Sequence, residues 1–317
     1  MKNNLFIKHN SKFFYMNKSL LSSFFCLLVT FCYGQNELII KDFLTKNPVS
    51  YATVKFYSNG EILGGEYCDE NGKIILPKLK KEIDRLVVSC IGYENENFDF
   101  KASASTVFLL KPQEIALKEV VISRKKPISL INYSKIKKSP SRLSRFQTKV
   151  VFIPNNQLLE GFLKNFSFKL AREVTVDQIV RLHVYAKSDS KFEPGVSLLK
   201  ENVIKKLTKG MDGVIEMDLV PYEIALPKEG FFIGLENVGM PFHSTKVKSF
   251  QEQDDSSLLF YAESSNDFKT FINFNSIEEN SFWLNLNAFV KEDMKKSFNE
   301  DLKMGSNPAF NVTIIPN

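Results

Sequence analysis

Histidine and tryptophan are scarce in this 317-residue chain, which contains three histidines and one tryptophan. His183 and His243, the two histidines beyond position 34, lack the glutamate of the HxxE and HExxH motifs with which zinc peptidases hold their metal. The sequence also lacks a GxSxG nucleophile elbow, a phosphate-binding P-loop and a GxGxxG dinucleotide fingerprint. These absences argue against zinc-peptidase, serine-hydrolase and nucleotide-dependent chemistry, so we predict no enzymatic activity, no cofactor and no metal.

The chain also lacks an apolar run long enough to span a bilayer, which takes about 20 residues. The run from Leu20 to Cys32 is shorter, follows four lysines without any acidic residue, and precedes Tyr33-Gly34-Gln35. This order is typical of a secretory signal peptide, so we assign residues 1–34 to a leader and expect export to the periplasm, the outer membrane or the cell surface. Neither Cys26 nor Cys32 follows the small residues of a lipoprotein signal, and we expect no lipid anchor.

Basic charge is concentrated in two places. The leader carries four lysines, and its removal lowers the formal net charge from +6 to +2. Residues 124–149 hold nine Lys or Arg and no Asp or Glu. We assign residues 124–145 to a basic linker, either an extended solvated tether or a segment that contacts an anionic surface such as lipid headgroups or polysaccharide. No nucleic-acid-binding motif accompanies this charge, so a nucleic acid partner is not expected.

Cysteine is also rare beyond the leader, where only Cys68 and Cys90 occur. An oxidising compartment would allow them to form a disulfide if their Cα atoms lie within about 7 Å of each other. Two buried free thiols, acting as small hydrophobic side chains, are the alternative. The sequence leaves both possibilities open.

Residues 37–123 show short runs with period-two alternation, bounded by turn residues. Ser58-Asn59-Gly60 and Asn71-Gly72 are hairpin signals, since Asn and Gly tolerate the positive φ of tight turns. The pattern predicts a small antiparallel β-sandwich of about seven strands.

Three segments in this region, KDFLTKNPVSYATVKFY, CDENGKIILPKL and LVVSCIGYE, resemble the carboxypeptidase-regulatory-like domain. That domain is a seven-stranded Greek-key sandwich of the transthyretin (prealbumin) type, with a carbohydrate-binding-like fold, common in exported Bacteroidota proteins. The resemblance assigns residues 35–123 to one domain and implies that it is an accessory rather than a catalytic unit. It gives Asp69, Gly72 and Gly92 structural roles in turns. The segment 116–123, ALKEVVIS, is similar to the joint before the plug of TonB-dependent receptors, which suggests association with an outer-membrane receptor.

Residues 146–317 form a second strand-rich region. Its predicted strands are Asn165–Leu170, Gln178–Ala186, Val214–Leu219, Phe231–Leu235, Leu258–Ala262 and Ala309–Ile315. The region is loosely similar to an uncharacterised jelly-roll-like domain that often follows the regulatory-like domain. We therefore predict an all-β protein in which a larger second β-sandwich follows the first.

Candidate functional residues are few. Asp218, Glu223 and Glu236 are the carboxylates that a glycan hydrolase would need, provided that two of them lie about 5–9 Å apart. His183 alternates within an apolar strand and is expected to be packed. The acidic loop around Glu252, Asp254 and Asp255 is either a calcium site or simply exposed. The spacing of Asp69, Glu70 and Asn71 lacks the later bidentate acid of a calcium loop.

Aromatic side chains give the remaining hint of a ligand. Tyr222 beside a proline and Trp283 within SFWLN are the candidate ligand contacts, although aromatic residues in strands more often pack into a core. The leading hypothesis is a non-enzymatic exported module that binds a protein or a glycan, or acts as a scaffold, at the cell envelope. The alternative is a glycan-active hydrolase, or a carbohydrate-binding accessory, that uses the second sandwich.

Overall fold

The computed structural model describes residues 37–77, 79–101, 106–113, 125–131, 137–239, 257–265, 269–275, 277, 282–286 and 305–317. Within them the fold is built from strands, with a short 3₁₀ helix at Val220–Tyr222, and the predicted all-β class is confirmed. The span from Leu38 to Asn317 forms one compact unit. No helix among the described residues has the length and apolar character needed to cross a membrane. The predicted leader, residues 116–123, His243 and the acidic loop at Glu252, Asp254 and Asp255 lie outside the described residues.

The first sandwich consists of strands β1 Glu37–Asp42, β2 Thr53–Ser58, β3 Glu61–Tyr67, β4 Lys73–Ile75, β5 Arg85–Ser89, β6 Glu96–Asp99 and β7 Val107–Leu110. They form two sheets with the orders β4-β1-β7 and β3-β2-β5-β6. Period-two alternation turns Leu38, Ile40, Val54 and Phe56 inward, and these side chains form the shared core of the two sheets. One pairing differs from the antiparallel expectation, because β1 and β7 run parallel, with Ile39 opposite Val107.

Two aspartates fix the turns of the first sandwich. Asp42 Oδ1 accepts the backbone N–H of Leu44 at 2.8 Å and that of Thr45 at 2.6 Å, and Tyr93 donates its hydroxyl to Asp42 Oδ2 at 3.1 Å. The Thr45 N–H is the main cause that lowers the pKa of Asp42. Asp69 Oδ1 accepts the N–H groups of Asn71 and Lys73, both at 2.8 Å, and so closes the turn before β4.

The second sandwich has three sheets. Its strands are β8 Ile128–Ile131, β9 Lys137–Leu143, β10 Thr148–Ile153, β11 Gly161–Lys169, β12 Gln178–Lys187, β13 Pro194–Ser197, β14 Val203–Leu207, β15 Val214–Asp218, β16 Phe231–Gly239, β17 Leu258–Ser265, β18 Thr270–Asn273, β19 Leu284–Asn285, β20 Gly305–Pro308 and β21 Phe310–Pro316. The seven-stranded sheet runs β13-β12-β16-β10-β18-β19, with β14 also on β12, and the others run β15-β11-β21-β8 and β20-β17-β9. The main core contains Leu182, Ile233, Phe166 and Val312, from both larger sheets.

Residues 124–145, predicted to be a basic linker, contain two strands of the second sandwich. Strand β8 pairs with β21, and β9 pairs with β17. Each is the outermost strand of its sheet, and Pro140 is tolerated in β9 because one side of an edge strand needs no backbone partner. The buried Lys149 also holds β9, since its Nζ donates to Ser141 Oγ at 2.9 Å and to the Arg142 carbonyl at 2.6 Å. Burial lowers the pKa of Lys149 to about 8.

Cys68 and Cys90 are buried free thiols. Thr53 on β2 pairs with Tyr67 on one side and with Ser89 on the other, so the two cysteines follow positions on the strands that flank β2. Strands two apart are separated by about 9–10 Å, which exceeds the roughly 7 Å limit for a disulfide. Of the two possibilities that the sequence left open, the structure has the free thiols.

Candidate functional site

Strands β12 and β16 carry polar side chains on the face of their sheet that points away from the main core. Along β12, Val180, Leu182 and Val184 enter the core, which leaves Arg181, His183 and Tyr185 on the opposite face. On β16, Leu235 enters the core and Glu236 points the other way. Because Arg181 pairs with Glu236 and His183 with Gly234, which has no side chain, the register leaves room for these groups to meet.

The first sandwich covers this face, and together they enclose a buried polar cluster of Tyr67, Arg181, His183, Tyr185 and Glu236. Tyr67 donates its hydroxyl to Glu236 Oε1 at 2.6 Å. His183 Nε2 lies 2.7 Å from Glu236 Oε2, and its Nδ1 lies 2.7 Å from the Tyr185 hydroxyl. Arg181 approaches Glu236 Oε2 at 3.4 Å and donates to the Tyr51 carbonyl. Glu236, only 2 % exposed, therefore has three polar partners.

Glu236 is ionised in the folded protein. Burial by itself raises its pKa, but the Arg181 guanidinium and the hydrogen bonds from His183 and Tyr67 outweigh burial and lower the pKa to about 2. A carboxylate only accepts hydrogen bonds, so His183 Nε2 is the donor in the bond to Glu236. The Tyr185 hydroxyl is the hydrogen-bond partner of Nδ1 on the other side of the ring. Burial and the Glu236 charge raise the pKa of both Tyr67 and Tyr185, which keeps the two phenols protonated.

This arrangement suits a structural joint better than acid–base catalysis. A general acid or base works best with a pKa near the operating pH, whereas Glu236 is held far below it. Both ring nitrogens of His183 already have partners within the protein. Tyr67 and the Tyr51 carbonyl of the first sandwich form hydrogen bonds with the charged groups of Glu236 and Arg181, so the cluster fixes the first sandwich on the second.

Further contacts between the sandwiches surround the buried polar cluster. Arg145 forms an ion pair with Glu66, and Lys206 forms one with Glu70. Asn202 donates to the Ser50 carbonyl at 3.0 Å and to Cys90 Sγ at 3.1 Å. Tyr67 stacks on Phe146 with ring centroids 5.3 Å apart. These contacts extend the joint from the ends of β2 and β3 to β14.

Gly92 adds a backbone contact to the same joint. Its φ of +86° is a conformation that favours glycine, and a Cβ atom there would overlap the Lys200 carbonyl oxygen. A Cβ atom on Gly72, whose φ is +69°, would likewise overlap the Ile40 carbonyl oxygen inside the first sandwich. Gly92 therefore permits both the tight turn and the close packing of the two sandwiches.

The three candidate carboxylates do not come together. Asp218 is exposed on the outer face of β15, where its Oδ1 accepts the N–H of Val220 at 3.1 Å. Glu223 is exposed just after the 3₁₀ helix, with a φ of +47°. Glu236 belongs to the other large sheet, and the main core lies between it and Asp218. Facing sheets are about 10 Å apart, and both side chains point away from the core, so the pair does not meet the hydrolase geometry.

The two candidate ligand aromatics also lie apart. Tyr222 packs against the main core from the 3₁₀ helix. Trp283 is half-buried on the outer side of the seven-stranded sheet, edge-on to Tyr185 with centroids 5.5 Å apart. It belongs there to an aromatic face that also contains Tyr185, Phe152, Phe232 and Phe271.

A pocket of about 330 Å³, lined by both apolar and polar side chains, opens beside this aromatic face, and we call it the amide pocket. The polar side chains that define it are Asn155, Asn156, Gln157, Glu263, Lys269 and Asn307. Asn155 shapes the loop after β10, because its Nδ2 donates to the carbonyls of Leu159 at 2.9 Å and Pro227 at 3.1 Å, and its Oδ1 accepts the Leu159 N–H. Asn156 and Gln157 are exposed on that loop.

The other wall of the amide pocket is fixed in a similar way. Asn307 on β20 accepts the N–H of Lys269 at 3.1 Å and the hydroxyl of Thr270 at 2.7 Å. Phe152 lines the pocket and is also a member of the aromatic face. Across the described part of the chain, no three His, Cys, Asp or Glu side chains gather as a metal site requires.

Sequence reasoning found His183 and Glu236 separately and missed their partners Tyr67, Arg181 and Tyr185. The available signal was the spacing of Arg181, His183 and Tyr185, three polar residues at period two within an apolar strand. That pattern indicates a strand covered by polar neighbours on one face. The amide pocket gave no sequence signal, since its walls come from residues more than 100 positions apart.

Comparison with known proteins leaves the family of the chain open. No protein-family model and no curated protein matches it. Among solved structures, the cysteine protease and lectin-like domains of Cwp84, a surface layer associated protein of Clostridium difficile, align with 9% identity and a TM-score of 0.37 over 85% of this chain. The chain spans 59% of that structure. The clostridial protease Cwp84 after propeptide cleavage aligns with 9% identity and a TM-score of 0.38, covering 89% of this chain and 70% of that one.

Proposed function

We propose that this protein is a non-enzymatic, exported module that binds a protein or a glycan at the cell envelope. The observation that supports this proposal best is that the polar residues fall into two groups, one buried and one at an open pocket. His183 and Glu236, the residues best suited to acid–base chemistry, are enclosed in the buried polar cluster, whereas the exposed amides of Asn156 and Gln157 line an open pocket elsewhere. A rigid two-sandwich body that presents a preformed pocket is suited to binding.

The absence of catalysis is part of the proposal. Glu263 is the carboxylate in the described lining of the amide pocket, and Lys269 is the ammonium there. Glycoside hydrolysis uses two carboxyl groups that flank one bond. A single carboxylate beside amides is suited to accept hydrogen bonds from a ligand instead.

Export and the nature of the first sandwich are proposed on sequence grounds. The basic, apolar and small-residue order of residues 1–34 supports cleavage and export, and the turn residues Asp69, Gly72 and Gly92 support a regulatory-like domain. An outer-membrane receptor is a candidate partner because of the ALKEVVIS segment.

The test uses protein purified after export from cells that express the full chain. We expect it to retain envelope material, either a polysaccharide or a protein, from detergent-solubilised membranes, and to release no product from glycan and peptide panels. The matched control is the same protein after irreversible heat unfolding. Retention equal to that control would contradict binding, and turnover of any panel member would contradict the non-enzymatic assignment.

A further inference from the structure

The amide pocket presents both donors and acceptors to solvent. Asn156 and Gln157 are exposed on the loop anchored by Asn155, and each side-chain amide offers two donor hydrogens and one acceptor oxygen. Ser129 on β8 adds a hydroxyl to the lining. A ligand rich in hydroxyl groups matches this lining, because each hydroxyl donates one hydrogen bond and accepts others.

The charges of the described lining balance. Glu263 contributes one carboxylate and Lys269 one ammonium, and the other described lining residues are uncharged. Recognition of a strongly charged ligand relies on a lining of the opposite sign. The balanced lining therefore favours a neutral polyhydroxylated ligand over an acidic or basic one.

An exposed aromatic ring lies next to the pocket. Phe192, in the loop between β12 and β13, is 48 % exposed. Its ring packs edge-on against Phe152, which lines the pocket, with centroids 4.9 Å apart. The flat face of a sugar ring is a sheet of C–H groups, and an aromatic face is apolar and electron-rich. Phe192 therefore offers a stacking surface for the adjoining sugar of an oligosaccharide whose end lies in the pocket.

The size of the pocket limits what enters it. Its volume of about 330 Å³ is near the lower end of the roughly 300–1,000 Å³ found for small-molecule sites. A short end of an oligosaccharide fits such a volume better than the middle of a thick polymer. The asparagine side chains that fix both walls mean that little ordering is needed on binding.

We infer that the amide pocket binds the end of a neutral oligosaccharide, with Phe192 stacking on the adjoining sugar ring. This inference rests on the proposed binding function and names its ligand class. Asn156 and Gln157 form hydrogen bonds with the sugar hydroxyl groups in the pocket. Glu263 accepts hydrogen bonds from other polar groups of the same ligand, and Lys269 donates to them.

The test begins with an array of neutral and acidic glycans, probed with the exported protein, followed by calorimetric titration of the tightest neutral glycan. Asn156→Ala/Gln157→Ala should weaken binding about tenfold or more, the loss of roughly one net hydrogen bond, and Phe192→Ala should weaken it similarly. The matched controls are Asn95→Ala/Asn97→Ala, which removes two exposed amides of the first sandwich, and Phe43→Ala, which removes an exposed ring there. Unchanged melting temperatures establish that all variants are folded.

Several outcomes would overturn the inference. They are the failure of every neutral glycan to bind, a preference for acidic glycans, and equal affinities for the pocket variants and the controls. If envelope retention persists in any of these cases, the proposed function stands and only the ligand class is wrong. If retention is also absent, the proposed function itself has failed.

Discussion

Tyr67 donates a hydrogen bond of 2.6 Å to Glu236, although 169 positions separate the two residues along the chain. The bond joins the end of a strand in the first sandwich to a central strand of the second. Both residues are almost fully buried, so neither can exchange this partner for water. The stability of each sandwich is therefore linked to that of the other.

Removing either partner should destabilise the whole protein. Glu236→Gln should cost about 3–5 kcal/mol, because it leaves Arg181 buried beside a neutral amide. Tyr67→Phe should cost about 1–3 kcal/mol, because an acceptor loses its donor. Urea unfolding of both single variants and the double variant should give a coupling of about 0.5–3 kcal/mol. The exposed control Glu216→Gln should stay within about 0.5 kcal/mol, and a coupling near zero would contradict the joint.

The low pKa of Glu236 predicts acid sensitivity. The pKa falls from 4.5 to about 2 on folding, so the unfolded chain takes up this proton first as the pH drops. The stabilisation is complete above about pH 4.5 and is lost as the pH falls towards 2. The stability gap between the wild type and Glu236→Gln should shrink over this window by at most about 1.4 kcal/mol per pH unit. A gap that does not change between pH 4.5 and 2 would show that folding does not lower the pKa of Glu236.

Substituting two glycines that have nearly the same φ should distinguish the free-energy cost of backbone strain from the cost of a steric overlap between the sandwiches. Gly60, with a φ of +83°, has nothing within 4 Å of an added Cβ, whereas a Cβ on Gly92 would overlap Lys200. Gly60→Ala should cost about 1–2 kcal/mol from conformation alone. Gly92→Ala should cost a further ~1–3 kcal/mol, because the sandwiches must move apart. Equal losses in thermal unfolding would mean that Gly92 makes no contact across the joint.

Lys149 should make the protein more stable in mild alkali. Burial lowers its pKa from 10.5 to about 8, so its charge is unfavourable in the fold below pH 8. This penalty disappears as the pH rises from 8 to 10.5, because the folded protein has already released the proton. Relative to Lys149→Met, the wild type should gain up to about 1.4 kcal/mol per pH unit there. A stability difference between the wild type and Lys149→Met that is the same at pH 8 and pH 10.5 would contradict a lowered pKa of Lys149.

The two thiols should be unreactive in the folded protein. Burial raises the pKa of both Cys68 and Cys90, and the thiolate is the reactive form. Iodoacetamide followed by mass spectrometry should label them slowly in buffer and rapidly in denaturant. Isolation of a Cys68–Cys90 disulfide from oxidised native protein would contradict the separation across β2.

The sequence predicts the strands well because alternation is a local property. The predicted strands at 178–186 and 231–235 lie within β12 and β16, where the residues that enter the main core recur at period two. Strands β8 and β9 were missed because β8 has only four residues and β9 is basic and contains Pro140, and a place at a sheet edge depends on distant partners. For the same reason, the sequence identified His183 and Glu236 separately but did not predict that they contact each other. Their connection depends on the register of β12 against β16 and on coverage by Tyr67.

The position of strand β21 affects the order in which the sheets of the second sandwich form. It lies between β11 and β8, so residues 310–316 fill an internal place in a sheet whose other strands come much earlier in the chain. While the polypeptide is being made, β8 and β11 have open hydrogen-bonding edges until that last partner emerges. The second sandwich therefore closes only after residues 310–316 have joined β11 and β8.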